Sequence, residues 1–461
     1  MPNSFRTVLC CTLFALSACA SVLAPSPSDE SDSDAKHRHR RDAFTTWLRD
    51  AGGGTPDASD PAGPPASGGG PGAPCNSSTF HLKEGLMTPS MPAFANPPKG
   101  TLVSEPTFNT CLTRVTDHAS EPPVNFARND YSRRQAFNAD SSFVLIYDGS
   151  GSWHLYDANT WKWVRQLTPL SGDAEPQWHP TDPNTLYYLP INGGTKLLAV
   201  DVRTNSTRTL VDFAGRLPWA GAAHIWTKSE GSPSKDARFW GFQVEDSGFG
   251  LLGFIVWDMM NDKIVGTMAS NKRPDHCSMS ATGRWFVISW DDGTWAYSPD
   301  FAARKQLHSR SEHSDLAIGA DGHDYYVSID YQSNEGWMFM TDMDTGVRTN
   351  LLPTYLGGSY TAVHFSGKAF DRPGWVLVST YGDGGPAQWL HDKVFVMEMK
   401  ASPRVYELAF HRSEVGGQYF AEPHASVNRD FTRIMFNSNW GNSGSSDIDA
   451  YSIRLPPTAF P

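Results

Sequence analysis

The sequence predicts an all-β chain folded as a seven-bladed β-propeller, preceded by a signal peptide and a disordered tether. Three observations predict it. One strand-rich unit recurs from about residue 101 to residue 455. Aromatic residues make up 12% of the chain and charged residues only 19%, the composition of packed strands rather than of a coiled coil or a disordered chain. No stretch carries a sustained amphipathic helical pattern. A prior of ~150 residues per domain would divide 461 residues into about three domains, but repeat folds do not follow that prior. The net charge of −11 argues against a nucleic-acid partner, which calls for a basic face.

Residues 1–19 read as an export signal. Arg6 supplies a short positive region, and Val8 to Leu16 an apolar run too short to span a bilayer as a mature helix. The run ends in Leu16-Ser17-Ala18-Cys19, which resembles the lipobox of bacterial lipoproteins, with Cys19 as the lipidated residue. That resemblance implies an exported protein held at the outer membrane or cell surface by a lipid anchor alone; periplasmic or secreted placement is the alternative. Residues 20–75 read as a low-complexity tether. An acidic serine run and the basic run Lys36 to Arg41 precede a stretch, Ala51 to Pro74, in which 14 of 24 residues are Gly or Pro. Such a segment has too little apolar surface to bury a core. With Cys19 lipidated, Cys75, Cys111 and Cys277 remain. They permit one disulfide, most simply Cys75–Cys111, with Cys277 buried and free.

Residues 76–461 form the propeller. In each unit a polar turn leads into a short aromatic or β-branched strand, as in Ser280-Ala281-Thr282-Gly283-Arg284 before Trp285 to Trp290, or Ser426 to Asp430 before Thr432 to Ser438. Asn138 to Ser142 before Phe143 to Tyr147 repeats the plan. Units begin near Arg134, Glu175, Ala223, His276, His313, His364 and His424, which gives seven. Thr110 to Thr116, ahead of the first unit, is expected to supply the outer strand of the last blade and so close the ring, which removes exposed edges. The order of turn, strand, small polar exit and Asp-x-Tyr-like strand resembles the TolB-type propeller repeats.

Histidine carries the functional signal. His224, His276, His313, His364 and His424 stand just before the inner strands of successive units, at gaps of 52, 37, 51 and 60 residues. Equivalent positions in a ring of blades converge on one opening of the channel. Three or four neutral imidazoles there would hold a divalent metal with a position left for substrate. Asp275, Glu312, Glu422 and Gln177 stand beside them as ligands or as partners that orient the rings. The competing reading is one structural histidine per blade, bonded to backbone and water. Arg133 and Arg134 precede the first inner strand and suit a carboxylate or phosphate. Tyr131 and Tyr360 lie in pre-strand loops as candidate acids or bases, and Asp315, two residues after His313, as a partner that orients its ring. No Gly-x-Ser-x-Gly elbow and no P-loop occurs.

An exported propeller with a His-lined mouth resembles the propeller polysaccharide lyases, the oligogalacturonide and ulvan lyases. The resemblance implies β-elimination on a uronate-containing glycan. It assigns His276, His313, His364 and His424 to the metal, Arg134 to the substrate carboxylate, and His224 or Tyr360 to the base. The oligogalacturonide lyases hold manganese with a Gln and a pair of His; here Gln418 and His424 are spaced differently and no His-x-His occurs at this site. The implied partner is an acidic polysaccharide or a small ligand, and the protein is expected to be a monomer. The alternative from another class is a non-catalytic cell-surface propeller that binds a ligand or protein.

Overall fold

The computed structural model describes residues 75, 77–121, 126–442 and 447–461. The expected signal, lipobox and most of the tether lie outside them. All described residues fall within one unit, residues 64–461. Among them regular structure is β-strand, paired antiparallel with one exception, and short 3-10 turns.

The strands form sheets in chain order. Five sheets have four strands each, spanning residues 177–212, 222–269, 276–308, 314–353 and 360–410. The sixth has nine strands. One part holds residues 127–166; the other combines 426–454 with the N-terminal strands Leu102–Ser104 and Cys111–Arg114. A single parallel pairing, Asp449 to Ala127, joins the two parts.

Closure follows the expectation. Cys111, Leu112, Thr113 and Arg114 pair with Arg454, Ile453, Ser452 and Tyr451. Cys111 and Leu112 are fully buried, so the closing strand belongs to the core. Arg114 Nη2 meets Asp449 Oδ2 at 2.7 Å, and Thr116 donates to the other oxygen of that carboxylate at 2.8 Å. The Cys75–Cys111 disulfide ties the closing strand to the preceding segment, and Cys277 is free and buried.

Large side chains fill the space between sheets. Tyr187 meets Trp240 edge-on at 5.5 Å, and Phe213 meets Trp257 edge-on at 5.5 Å, both between the 177–212 and 222–269 sheets. Edge-to-face contacts of this kind add ~0.5–1.5 kcal/mol beyond their burial. The first strand of each sheet is different. In most sheets it is buried, yet it carries polar residues such as His276, Ser278, Ser314, Asp315, His364, Ser366 and Ser426. These strands pack beside one another, 314–318 against 360–366 and 360–366 against 426–427. Their polar side chains therefore find partners across the axis, which is how buried polar groups are tolerated. Gly231 allows one such approach: a Cβ there would sit 2.1 Å from the Cys277 carbonyl oxygen.

The disulfide closes a loop of 36 residues onto the strand that completes the ring. Replacing Cys75 and Cys111 together by Ala is expected to lower unfolding stability by about 3–4 kcal/mol. Denaturant unfolding of the oxidised protein measures this; an unchanged midpoint would contradict it.

Candidate functional site

The chain enters each sheet at the end that carries the histidines. Antiparallel alternation puts the turn between second and third strands at that same end. Both kinds of segment therefore build one face. Glu422 follows the 3-10 turn Tyr419–Ala421, and Pro423 separates it from His424. His424 has φ +39°, a left-handed backbone uncommon for a residue with a side chain, and Asn129 Nδ2 donates to its carbonyl at 2.6 Å.

His364, Glu422 and His424 converge. Glu422 Oε2 lies 2.9 Å from His364 Nε2 and 3.3 Å from His424 Nε2. One ligand atom from each falls within 4.8 Å of the others, and the three residues are 1%, 3% and 0% exposed. Burial, reinforced by His364 beside it, pushes the His424 pKa down to about 3, so its ring is neutral at ordinary pH. Its Nδ1 is buried and makes no hydrogen bond. Two imidazoles and one carboxylate, with the His424 nitrogens buried and without a hydrogen bond, fit a divalent transition metal.

Aromatic rings hem this group in. Tyr131 packs on His424 at 4.8 Å and on His364 at 5.3 Å, and Tyr419 lies 4.9 Å from His424. Tyr381, from the second strand of its sheet, stacks flat on His364 at 4.7 Å. The His313 ring is 4.5 Å from His364. His313 Nδ1 stands 3.0 Å from both the Val363 carbonyl oxygen and Tyr381 Oη. A proton on Nδ1 satisfies the carbonyl and leaves the lone pair on Nε2.

The other expected residues sit around or away from this centre. His276 is buried, 3.3 Å from Asp275 Oδ2 and 3.3 Å from Ser314 Oγ. His224 stacks on Phe249 in the 222–269 sheet. Tyr360 opens the strand that carries His364 and packs over Gly384; four residues of strand separate it from His364 by ~13 Å. Asp315 holds Lys368 Nζ at 2.9 Å and the Gly367 N–H at 2.7 Å.

The two adjacent arginines differ. Arg134 is saturated: Nε bonds Asp130, Nη2 bonds Glu175 at 2.9 Å, and Nη1 bonds the Pro176 carbonyl at 3.1 Å. Burial works against its charge, yet the two carboxylates hold its pKa above the usual value. Arg133 lies over Tyr131 at 5.0 Å and meets Glu230 through Nη2 at 3.2 Å, while its Nε and Nη1 are buried without partners. Glu230 is left-handed at φ +53°, and burial raises its pKa to about 7 against the pull of Arg133. The sequence reading did not single out Glu230, Tyr381 or Tyr419. The Glu-x-His spacing of 422 and 424 was the signal available for the tightest group.

A small recess of about 40 Å³ is lined by Gln135, Gln177, Lys235, Lys368 and Arg429 among others. Two of its cations are already paired, Lys368 with Asp315 and Arg429 with Asp371.

No protein-family model matches the chain, and no curated protein matches it. Solved structures do. The oligogalacturonate lyase from Vibrio parahaemolyticus is 14% identical over 79% of this chain and 100% of its own, with a TM-score of 0.53. The Pan2 WD40 domain of Neurospora crassa is 10% identical over 74% of this chain and 95% of its own, with a TM-score of 0.47. TolB from Acinetobacter baumannii is 16% identical over 62% and 64%, with a TM-score of 0.34. The likeness to the lyase is one of fold: the chain is a β-propeller.

The arginines give a paired prediction. Arg134→Ala is expected to cost about 3–5 kcal/mol, because two carboxylates lose their shared partner. Arg133→Ala should cost about 1 kcal/mol or less below pH 7, where Glu230 takes up a proton instead. The Glu230 pKa is raised from 4.5 to about 7 in the fold, so its contribution favours the fold below about pH 4.5 and is lost as pH rises through about 7. Urea unfolding across that range reads both effects, and Glu230→Gln should flatten the slope. Equal losses for the two arginine variants would contradict the assignment.

Proposed function

We propose that the protein is a metal-assisted polysaccharide lyase that acts by β-elimination on a uronate-containing glycan. The observation that carries the reading is the buried His364–Glu422–His424 group beside a guanidinium with two unpartnered donors. Seven blades follow if the nine-stranded sheet is divided at its single parallel pairing. The export signal and lipid anchor read from residues 1–19 would put such an enzyme where polymeric glycans are met.

A divalent ion bound by His364, Glu422 and His424 would supply positive charge to a uronate carboxylate, making the neighbouring C5 proton more acidic. Arg133 would hold the same carboxylate through Nε and Nη1, while Glu230 fixes its remaining arm. His313 and Tyr381 are hydrogen-bonded to each other beside His364. We assign them the proton relay in place of His224 and Tyr360, which stand apart. His313 takes the C5 proton and Tyr381 returns one to the glycosidic oxygen as the C4–O bond breaks and the C4=C5 bond forms. Arg134 acts at one remove, fixing the loop that carries Arg133.

One observation favours a second reading. The three candidate ligands are almost wholly buried, as suits an ion that holds together a non-catalytic, glycan- or protein-binding propeller. Ultraviolet absorbance of unsaturated products separates the two. With pectic, ulvan, alginate and glycosaminoglycan substrates and added divalent metal, the wild type should release such products from at least one. Arg133→Ala should lower kcat/KM by about 100-fold or more, and Arg133→Lys should recover part of it. No product from any substrate would overturn the lyase reading.

A further inference from the structure

A second feature of the histidine face has no part in the proton relay. The hairpin between strands Phe239–Asp246 and Leu251–Asp258 ends in Gly248-Phe249-Gly250. Its tip is a large apolar residue, Phe249, 42% exposed and left-handed at φ +62°. A phenylalanine gains nothing from that backbone and loses burial by standing there.

The loop is nevertheless built to hold it. Asp246 Oδ1 accepts from the N–H groups of Gly248 and Gly250, each at 2.8 Å. Arg273 donates to the Phe249 carbonyl and to Glu245 Oε1, each at 2.5 Å, and Glu245 Oε2 accepts from Trp226 Nε1 at 2.8 Å. The ring of Phe249 lies nearly parallel to His224, 14° apart at 4.6 Å, and His224 in turn lies over Trp226 at 6.5 Å. Nδ1 of His224 makes no hydrogen bond, so stacking holds that ring in place. One face of Phe249 is thus backed by a row of rings, and 42% of the residue stays open to solvent.

We propose that Phe249, supported by His224, is a sugar-stacking subsite that takes the apolar face of a pyranose ring in the glycan chain. The inference rests on the glycan reading of the histidine centre and extends it. Three features choose a sugar over a protein partner. Trp226 beneath is buried, so the open apolar area is one ring, far below the ~800 Å² per side of a stable protein interface. The platform is flat and pre-organised, as a rigid sugar ring requires. It stands on the face that carries the histidine centre: His224 is six residues before Glu230, the partner of Arg133, which bounds their separation at ~20 Å. Lys228, whose Nζ lies 4.1 Å over Trp226, adds a cation on the same segment, in keeping with an acidic glycan.

The test is calorimetric binding of acidic and neutral oligosaccharides of graded length to the metal-loaded protein, wild type and Phe249→Ala. The variant should bind the longer oligomers about 3- to 10-fold more weakly and the shortest bound one unchanged. Phe249→Trp should restore affinity, and thermal melts should show both variants folded. Unchanged affinity at every length would overturn the subsite and leave the lyase reading standing. A loss confined to neutral glycans would support the subsite and count against a uronate substrate. A wild type that binds none of them would overturn both.

Discussion

Closure of the ring is the constraint on which the rest depends. Cys111 to Arg114 come from the start of the described chain and pair with strand Asp449–Arg454 from its end. Leaving that strand out would expose a row of unpaired backbone groups on 449–454 and uncover the buried Leu112 and Ile453. It would also unseat Asp449, whose carboxylate takes both Arg114 and Thr116. The first strands of all the sheets can carry polar residues inward only because the ring is shut and those residues meet each other. A closed ring is what turns a sequence period of about 50 residues into a polar axis.

That axis explains why the site is crowded with groups that would be costly elsewhere. His424, His364 and Glu422 are buried together, and burial, reinforced by the neighbouring His364, drives His424 to its neutral form. Arg133 is buried with two idle donors next to a glutamate that resists ionisation. Arg134, one residue on, is neutralised by two carboxylates and a carbonyl. The pair separates two tasks that a sequence shows as Arg-Arg: one guanidinium braces the fold and the other remains available. Left-handed backbone at Glu175, Glu230 and His424 supplies the turns that aim these side chains inward.

Much of the architecture was legible in the sequence. The polar turn and β-branched strand recur because each sheet needs the same hairpin, so Phe143 to Tyr147, Trp285 to Trp290 and Thr432 to Ser438 could be read one by one. Thr110 to Thr116 was legible as the closing strand because it is a strand-like segment ahead of the first repeat. The disulfide was legible because few cysteines remain once Cys19 is set aside. The site was legible in part. The phase of the histidines put them on one face, and three of them, His313, His364 and His424, pack together there. Side-chain direction was not legible. His224 and His276 share the phase, but one turns onto Phe249 and the other to Asp275 and Ser314. Tyr381 comes from a second strand, where no periodic histidine marks it. Glu230 is positioned by a turn whose geometry no local pattern announces. Arg133 and Arg134 are told apart only by which carboxylates lie within reach.

The central claim is that His364, Glu422 and His424 bind one divalent ion. Anomalous diffraction from crystals of the protein grown with manganese tests it most directly. The account predicts a single strong peak among the three side chains, within ~2.0–2.3 Å of their ligand atoms, and its loss in His424→Ala. Fully occupied manganese elsewhere with none between these residues would contradict it.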